Sequence, residues 1–250
     1  MIIIQIFDAH LHIIDPRFPL KKNQGYLPPT FTCADYQKRI SHLDVIGGAV
    51  VSGSFQAFDQ EYLIDALQQL GSGFVGVTQL PPETPDEKIL DLNKKGVKAV
   101  RFNVKRGGSA TLKELERMAK RVYDLARWHV ELYIEAKDLA EIHPVLSRLP
   151  AVSIDHLGLT KEGFPVLLDL AEKGVKIKAT GFGRVELDVC KAIREITAVN
   201  PDALMFGTDL PSTRAPRVFQ DSDINLIVDA AGEKMTEKIM WGNASAWYQR

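Results

Sequence analysis

Eight short runs of β-branched and apolar residues, separated by stretches of helical periodicity, restrict the fold of this chain more than any other feature. They fall at residues 2–9, 45–51, 74–78, 97–102, 130–135, 152–155, 175–180 and 203–207. A helix between two strands carries the chain back to the starting end of the sheet, so consecutive strands pair in parallel. Eight such units predict an α/β fold of the (β/α)8 TIM-barrel type, and 250 residues suit one barrel as a single domain over residues 1–250.

The intervening segments carry helix punctuation. Thr84-Pro85-Asp86-Glu87 and Thr111-Leu112-Lys113-Glu114 both have the spacing of a capping box, the first with Pro at the opening helical position. Gly71, Gly96 and Gly174 stand where helices should stop. Leu115, Met118, Ala119, Val122, Leu125 and Ala126 recur at helical spacing and form a core stripe. Residues 15–29 hold four prolines and Gly25, which forbid a continuous helix or central strand, so a long loop follows the first strand and is placed to form part of a lid.

Composition narrows the partners. Lys and Arg total 31 against 32 Asp and Glu, a net charge of -1, so there is no broad basic field to attract nucleic acid and any anion site must be local. Cys33 and Cys190 are far apart and outside any metal-binding spacing, and they are expected to be reduced packing residues. The apolar start, Met1 to Phe7, lacks the basic region and small-residue cleavage site of a signal peptide. No run approaches the ~20 apolar residues that span a bilayer. A cytoplasmic protein with a small-molecule partner and no membrane contact is the expectation; the sequence leaves the oligomeric state open.

In such a barrel the chemistry lies at the C-terminal ends of the strands. His10 and His12 end the first run, two residues apart, so their side chains share a face. Imidazole is both a metal ligand and a proton carrier near neutral pH. The later runs deliver Ser52 and Ser54, Arg101 and Asn103, Tyr133 and Glu135, Asp155 and His156, Arg184 in a Gly-rich turn, and Asp209 between Gly207 and Pro211. Arg101, Lys105, Arg106 and Arg184 gathered at one mouth would make a local anion site, and guanidinium forks match carboxylates bidentately.

Phe7-Asp-Ala-His-Leu-His12, Ile154-Asp-His-Leu-Gly158, Phe206-Gly-Thr-Asp-Leu-Pro211 and Trp241-Gly-Asn-Ala244 together resemble the amidohydrolase superfamily. With Val100-Arg-Phe-Asn103 and Trp128-His-Val-Glu-Leu-Tyr-Ile-Glu135 the resemblance extends to the branch of the 2-pyrone-4,6-dicarboxylate lactonases and runs from the first strand to the last. It implies hydrolysis at a carbonyl carbon: Asp209 as general base toward water, and His156, His10 and His12 polarising the carbonyl directly or holding a divalent metal that does so. Substrate binding would fall to Arg101, Arg106, Arg184, Tyr133 and Ser52.

Metal use stays open. His10, His12 and Asp209, with His156 or Glu135 as a further ligand, suit one Zn2+, whereas the resembling branch works without a divalent metal. A binuclear centre is not expected, since no lysine at a strand end matches the carboxylated lysine of the binuclear members. The leading expectation is a hydrolase of a carboxylate-bearing lactone or related cyclic ester. The alternatives are a mononuclear metal-dependent amidohydrolase or decarboxylase and, in another class, a non-catalytic barrel that binds an anionic metabolite. Three segments depart from the lactonase pattern: Arg101 to Ser109 is one residue short before its second arginine, Leu159 stands where relatives commonly carry Arg, and Ser212-Thr-Arg214 replaces a His/Asn-rich continuation. All three lie in substrate-facing loops.

Overall fold

The computed structural model describes residues 4–249. Residues 2 and 3, included in the first expected strand, lie outside the described residues, and β1 spans Ile6–Leu11. It is followed by β2 (Val45–Val51), β3 (Phe74–Thr78), β4 (Val97–Asn103), β5 (His129–Tyr133), β6 (Val152–Ile154), β7 (Lys176–Ala179) and β8 (Leu204–Phe206). Each strand pairs in parallel with the next, giving one eight-stranded sheet in sequence order. The main crossover helices are α1 (Cys33–Ile40), α2 (Glu61–Leu70), α3 (Asp86–Lys94), α4 (Leu115–Ala126), α5 (Leu139–Leu146), α6 (Phe164–Glu172), α7 (Val189–Val199) and α8 (Ser222–Ala231). The chain is a single (β/α)8 barrel, and among the described residues no helix is long and apolar enough to cross a membrane.

Side chains help to close the seam between β8 and β1. Backbone bonds run from Asp209 N to His10 O and from His12 N to Leu210 O, both 2.7 Å. Asp8 adds to them by accepting from Thr208 N at 2.8 Å and Thr208 Oγ1 at 2.7 Å, while Tyr36 of α1 donates to its second oxygen at 2.9 Å. Gly207 is required here, because a Cβ at that position would lie 2.6 Å from His10 N.

Two apolar layers follow from the alternation of each strand. Val50, Val100, Phe102, Val130, Leu132, Ile154, Ile177 and Phe206 face the helices, where the α4 stripe packs against them. The interior holds Phe7, Ala49, Val51, Val77, Ala99 and Met205, with Trp247 and Tyr248 of the C-terminal helix packed against them. Burying one such large side chain contributes about 1.5–3 kcal/mol.

Both expected capping boxes are absent. Thr84 turns its hydroxyl back to Pro81 O at 2.7 Å, and α3 starts after Pro85 with no side-chain cap. Thr111 precedes a 3-10 turn, also without a side-chain cap. The reciprocal box occurs instead at Thr32 and Asp35 of α1. Gly71, Gly96 and Gly174 take the left-handed backbone expected at helix ends. The proline-rich loop is pinned by short bridges between Ile14 and Phe31 and between Asn23 and Tyr26.

Candidate active site

Strict alternation would place Ala9 and Leu11 beside Phe7 inside the barrel. The register of β1 against β2 shifts between Asp8 and Leu11. Such an irregularity re-aims the side chains that follow it. His10 and His12 thereby meet at the mouth of the barrel with ring centroids 5.0 Å apart, and His156 packs on His10 at 4.8 Å. His156 follows β6 and Asp209 follows β8, both with positive φ, 53° and 59°. Non-glycine residues held in that region cost on the order of 1 kcal/mol or more and cluster at functional sites. Gly181 makes room for the group, since a Cβ there would lie 2.7 Å from His156 Nδ1 and 3.1 Å from Asp209 Oδ2.

Three imidazole nitrogens converge on one carboxylate oxygen. Asp209 Oδ1 lies 3.9 Å from His10 Nε2, 3.7 Å from His12 Nε2 and 3.9 Å from His156 Nε2. It is fully buried and, among the described residues, neither it nor His10 Nε2 has a hydrogen-bond partner. The other oxygen, Oδ2, is taken by Arg184 at 2.5 Å. Burial favours the neutral acid, but Arg184 and the histidines outweigh it and hold Asp209 well below the usual carboxylate range. Asp209 is therefore ionised at neutral pH.

The far side of the ring fixes the proton in His12 alone of the three. His12 Nδ1 donates to Val51 O at 2.7 Å, which leaves a lone pair on Nε2. His156 Nδ1 shares a hydrogen bond with Thr180 Oγ1 at 2.7 Å. His10 Nδ1 lies 3.4 Å from both Lys178 Nζ and Asp155 Oδ1. With Lys178 donating, the proton sits on Nε2; with Asp155 accepting, Nε2 is a free ligand. Burial pushes His10 down to about 4, against the pull of Asp155, and burial likewise lowers His156.

Beneath the site lies a charged layer that the strand-end residues did not reveal. Glu131 of β5 and Lys178 of β7 form a fully buried pair at 2.5 Å, and Glu131 also receives Tyr248 Oη at 2.5 Å and His129 Nε2 at 3.0 Å. Arg101 binds Asp155 at 2.7 Å and Ser52 O at 2.8 Å. The carboxylates Asp155, Asp209 and Glu131 of the site and this layer thus each pair with a buried or nearly buried cation.

The cleft above is lined by His12, Ser54, Arg101, Arg106, Tyr133, His156, Arg184 and Arg214, among others, and its volume is about 30 Å3. That is room for a water or two. Tyr133 Oη reaches Arg184 Nη1 at 3.4 Å, and its ring lies under the Arg101 guanidinium. Ser52 does not reach the cleft: its hydroxyl is engaged by Tyr62 at 2.6 Å behind the strand, and Ser54 takes the expected position on the wall. Glu135 is likewise not a member of the donor cluster, being paired with Lys105 and with Lys137. Arg214 was expected only as a departure from pattern and turns out to line the site.

An amidohydrolase family model matches residues 7–250. A 2-pyrone-4,6-dicarboxylate hydrolase of Comamonas testosteroni is 30% identical over 232 residues, covering 82% of this chain and 76% of that protein. A 4-sulfomuconolactone hydrolase of Hydrogenophaga intermedia is 26% identical over 264 residues, covering 96% and 87%. Among solved structures, a probable 2-pyrone-4,6-dicarboxylic acid hydrolase from Acinetobacter baumannii superposes with a TM-score of 0.84 at 20% identity, over 98% of this chain and 99% of that one. The barrel, the carboxylate held among three histidines and the match from residue 7 to residue 250 place this chain in the amidohydrolase family, as a hydrolase.

Proposed function

We propose that the chain hydrolyses a lactone bearing one or more oxyanion groups, with Asp209 as general base. The observation that carries it is the Oδ1 of an ionised Asp209, unpartnered among the described residues and facing three imidazole edges, two of which, His12 and His156, line a cleft the size of a water or two. The lactone relatives support the choice of substrate class.

In this scheme a water between Oδ1 and the substrate loses a proton to Asp209 as its oxygen attacks the lactone carbonyl carbon. The developing oxyanion is met by His10 Nε2–H, the tautomer set when Lys178 donates to Nδ1, and by His156. Collapse of the tetrahedral intermediate breaks the bond to the ring oxygen, which takes the proton back from Asp209. The products are a hydroxyl and a carboxylic acid on one opened chain, and the acid gives its proton to solvent to become a carboxylate. Substrate carboxylates take Arg184 and Arg106; because Arg184 holds Asp209 in the closed cleft, substrate entry exchanges one ion pair for another.

The donor set also fits one divalent ion. His10 Nε2, His12 Nε2 and Asp209 Oδ1 are the atoms that would hold it, in a group whose ligand atoms lie within 4.8 Å of one another. Zn2+ bound there would polarise the carbonyl as a Lewis acid. The paired charges favour the route without metal, because a dication would add to a layer already neutralised by Arg101, Lys178 and Arg184.

The test is turnover of a panel of carboxylated lactones by wild type and Asp209→Asn, before and after chelation, with the product identified by mass. Expected are a product heavier by one water, activity that survives chelation, and a loss of roughly 100- to 10,000-fold in the variant. Release of carbon dioxide, or an active Asp209→Asn, overturns the assignment. Loss of activity on chelation, restored by Zn2+, moves it to the metal-dependent route.

A further inference from the structure

Four guanidiniums line the cleft, and they divide into two kinds. Arg101 and Arg184 are each already bound to a carboxylate, Asp155 and Asp209. Arg106 and Arg214 have no carboxylate within ion-pairing distance among the described residues. Both reach instead for the same neutral acceptor, Gln24 Oε1, Arg106 at 3.4 Å and Arg214 at 3.2 Å. Arg106 Nε is in addition buried without a partner.

Two cations that share one amide oxygen repel each other, and the surroundings hold them in place. Arg214 stacks over the Tyr26 ring at 4.5 Å and donates to Asn23 O and, at 3.2 Å, to Asn23 Oδ1. Asn23 Nδ2 in turn donates to Arg106 O at 3.0 Å. Arg214 itself has φ of 61°, a left-handed conformation in the turn that follows Asp209. Both guanidiniums are thus braced by the tip of the proline-rich loop, on the cleft that holds the reacting groups. Burial and the neighbouring Arg106 also push Arg214 below its ordinary value, the direction a nearby anion would reverse.

Resting on the lactone reading, we propose that Arg106 and Arg214 form a second anion subsite, which binds a carboxylate or sulfonate carried on the substrate away from the scissile carbonyl. The incoming oxyanion replaces Gln24 Oε1 between the two guanidiniums. Arg184 takes one anionic group of the substrate, and the Arg106–Arg214 pair reads whether a second one is present. The unexpected Ser212-Thr-Arg214 sequence is then a specificity element of this chain, and the loop tip stays at the subsite through the contacts of Asn23 and Tyr26 with Arg214.

The experiment compares 2-pyrone-4,6-dicarboxylate with 2-pyrone-6-carboxylate in wild type, Arg214→Gln, Arg214→Lys and Arg194→Gln, the last removing an exposed charge on the outer helix α7. The quantity read is the ratio of kcat/KM for the dicarboxylate to that for the monocarboxylate. A lost charge-assisted contact is expected to lower that ratio about 10- to 100-fold in Arg214→Gln, mostly through KM. Arg214→Lys is expected between the two, and Arg194→Gln at the wild-type ratio. An unchanged ratio in Arg214→Gln overturns the subsite. If wild type hydrolyses neither pyrone, calorimetry with tricarballylate separates the two questions: affinity at least tenfold weaker in Arg214→Gln supports the subsite although the lactone reading has failed, and equal affinity refutes it.

Discussion

Replacing Lys178 with Met tests whether the buried charged layer under the site is held by pairing. Lys178 and Glu131 are both fully buried and 2.5 Å apart. Removing the ammonium leaves Glu131 with two donors, Tyr248 Oη and His129 Nε2. Breaking a buried pair from one side costs about 3–5 kcal/mol, and the two remaining donors place this case toward the lower end. Burial acts to raise the Glu131 acid constant, while Lys178 and His129 outweigh it and hold the group below its ordinary 4.5. Without Lys178, burial, the largest single influence on Glu131, is expected to outweigh His129 and to lift the group above its ordinary 4.5 in the folded variant. The folded variant then binds more protons than the unfolded chain above pH 4.5, so its stability falls as pH rises through that window. Urea unfolding of wild type, Lys178→Met, Glu131→Gln and the double variant, at pH 5 and pH 8, reads this directly. The single lysine variant is expected to lose more at pH 8 than at pH 5, and the double variant to recover at least about 2 kcal/mol relative to additivity. Additive losses, within about 0.5 kcal/mol, would refute pairing as the source of the effect.

Arg184→Gln removes the main cation that holds Asp209 low, so the acid limb of kcat/KM is expected to move up by about 1–3 pH units while KM rises; a pH–rate profile with an unmoved limb contradicts the assignment of that limb to Asp209. His10 takes up its proton near 4 in the folded chain against 6.5 when unfolded, so the unfolded state binds more protons between those values and stability rises with pH across them. Asp8, raised by burial to about 6 from 3.8, opposes this over most of the window, and His156, also lowered by burial, adds to the His10 effect, so the two histidines outweigh the one carboxyl. Urea midpoints measured from pH 4.5 to 7 should therefore rise, with a shallower slope in His10→Gln; an equal slope in wild type and variant sinks the account of His10.

What the sequence made legible depended on whether a residue's role is set along one strand or across the barrel. The eight strands were readable because each is a short β-branched run, and β3 falls on residues 74–78 as expected. His10, His12, His156 and Asp209 were readable because polar groups at the ends of apolar strands are costly without a reason. Arg101 and Arg184 were found at the mouth, but not that each is bound to a carboxylate from another strand, since Arg101 and Asp155 are 54 residues apart. Lys178 and Glu131 were missed for a different cause. His129-Val-Glu131-Leu-Tyr133 and Lys176-Ile-Lys178-Ala already alternate polar with apolar, and in a barrel whose outer face is covered by helices the polar side must point inward. That signal lies in the middle of the strands, away from their ends. Ser52 fails by the same logic, because its expected place rested on position along β2 and the Tyr62 hydroxyl that claims it comes from a helix behind the sheet. The local caps were the least legible part: Thr-x-x-Glu spacing occurs twice without closing a box, because Thr84 and Thr111 face turns whose geometry is set by Pro85 and by a 3-10 start rather than by the spacing itself.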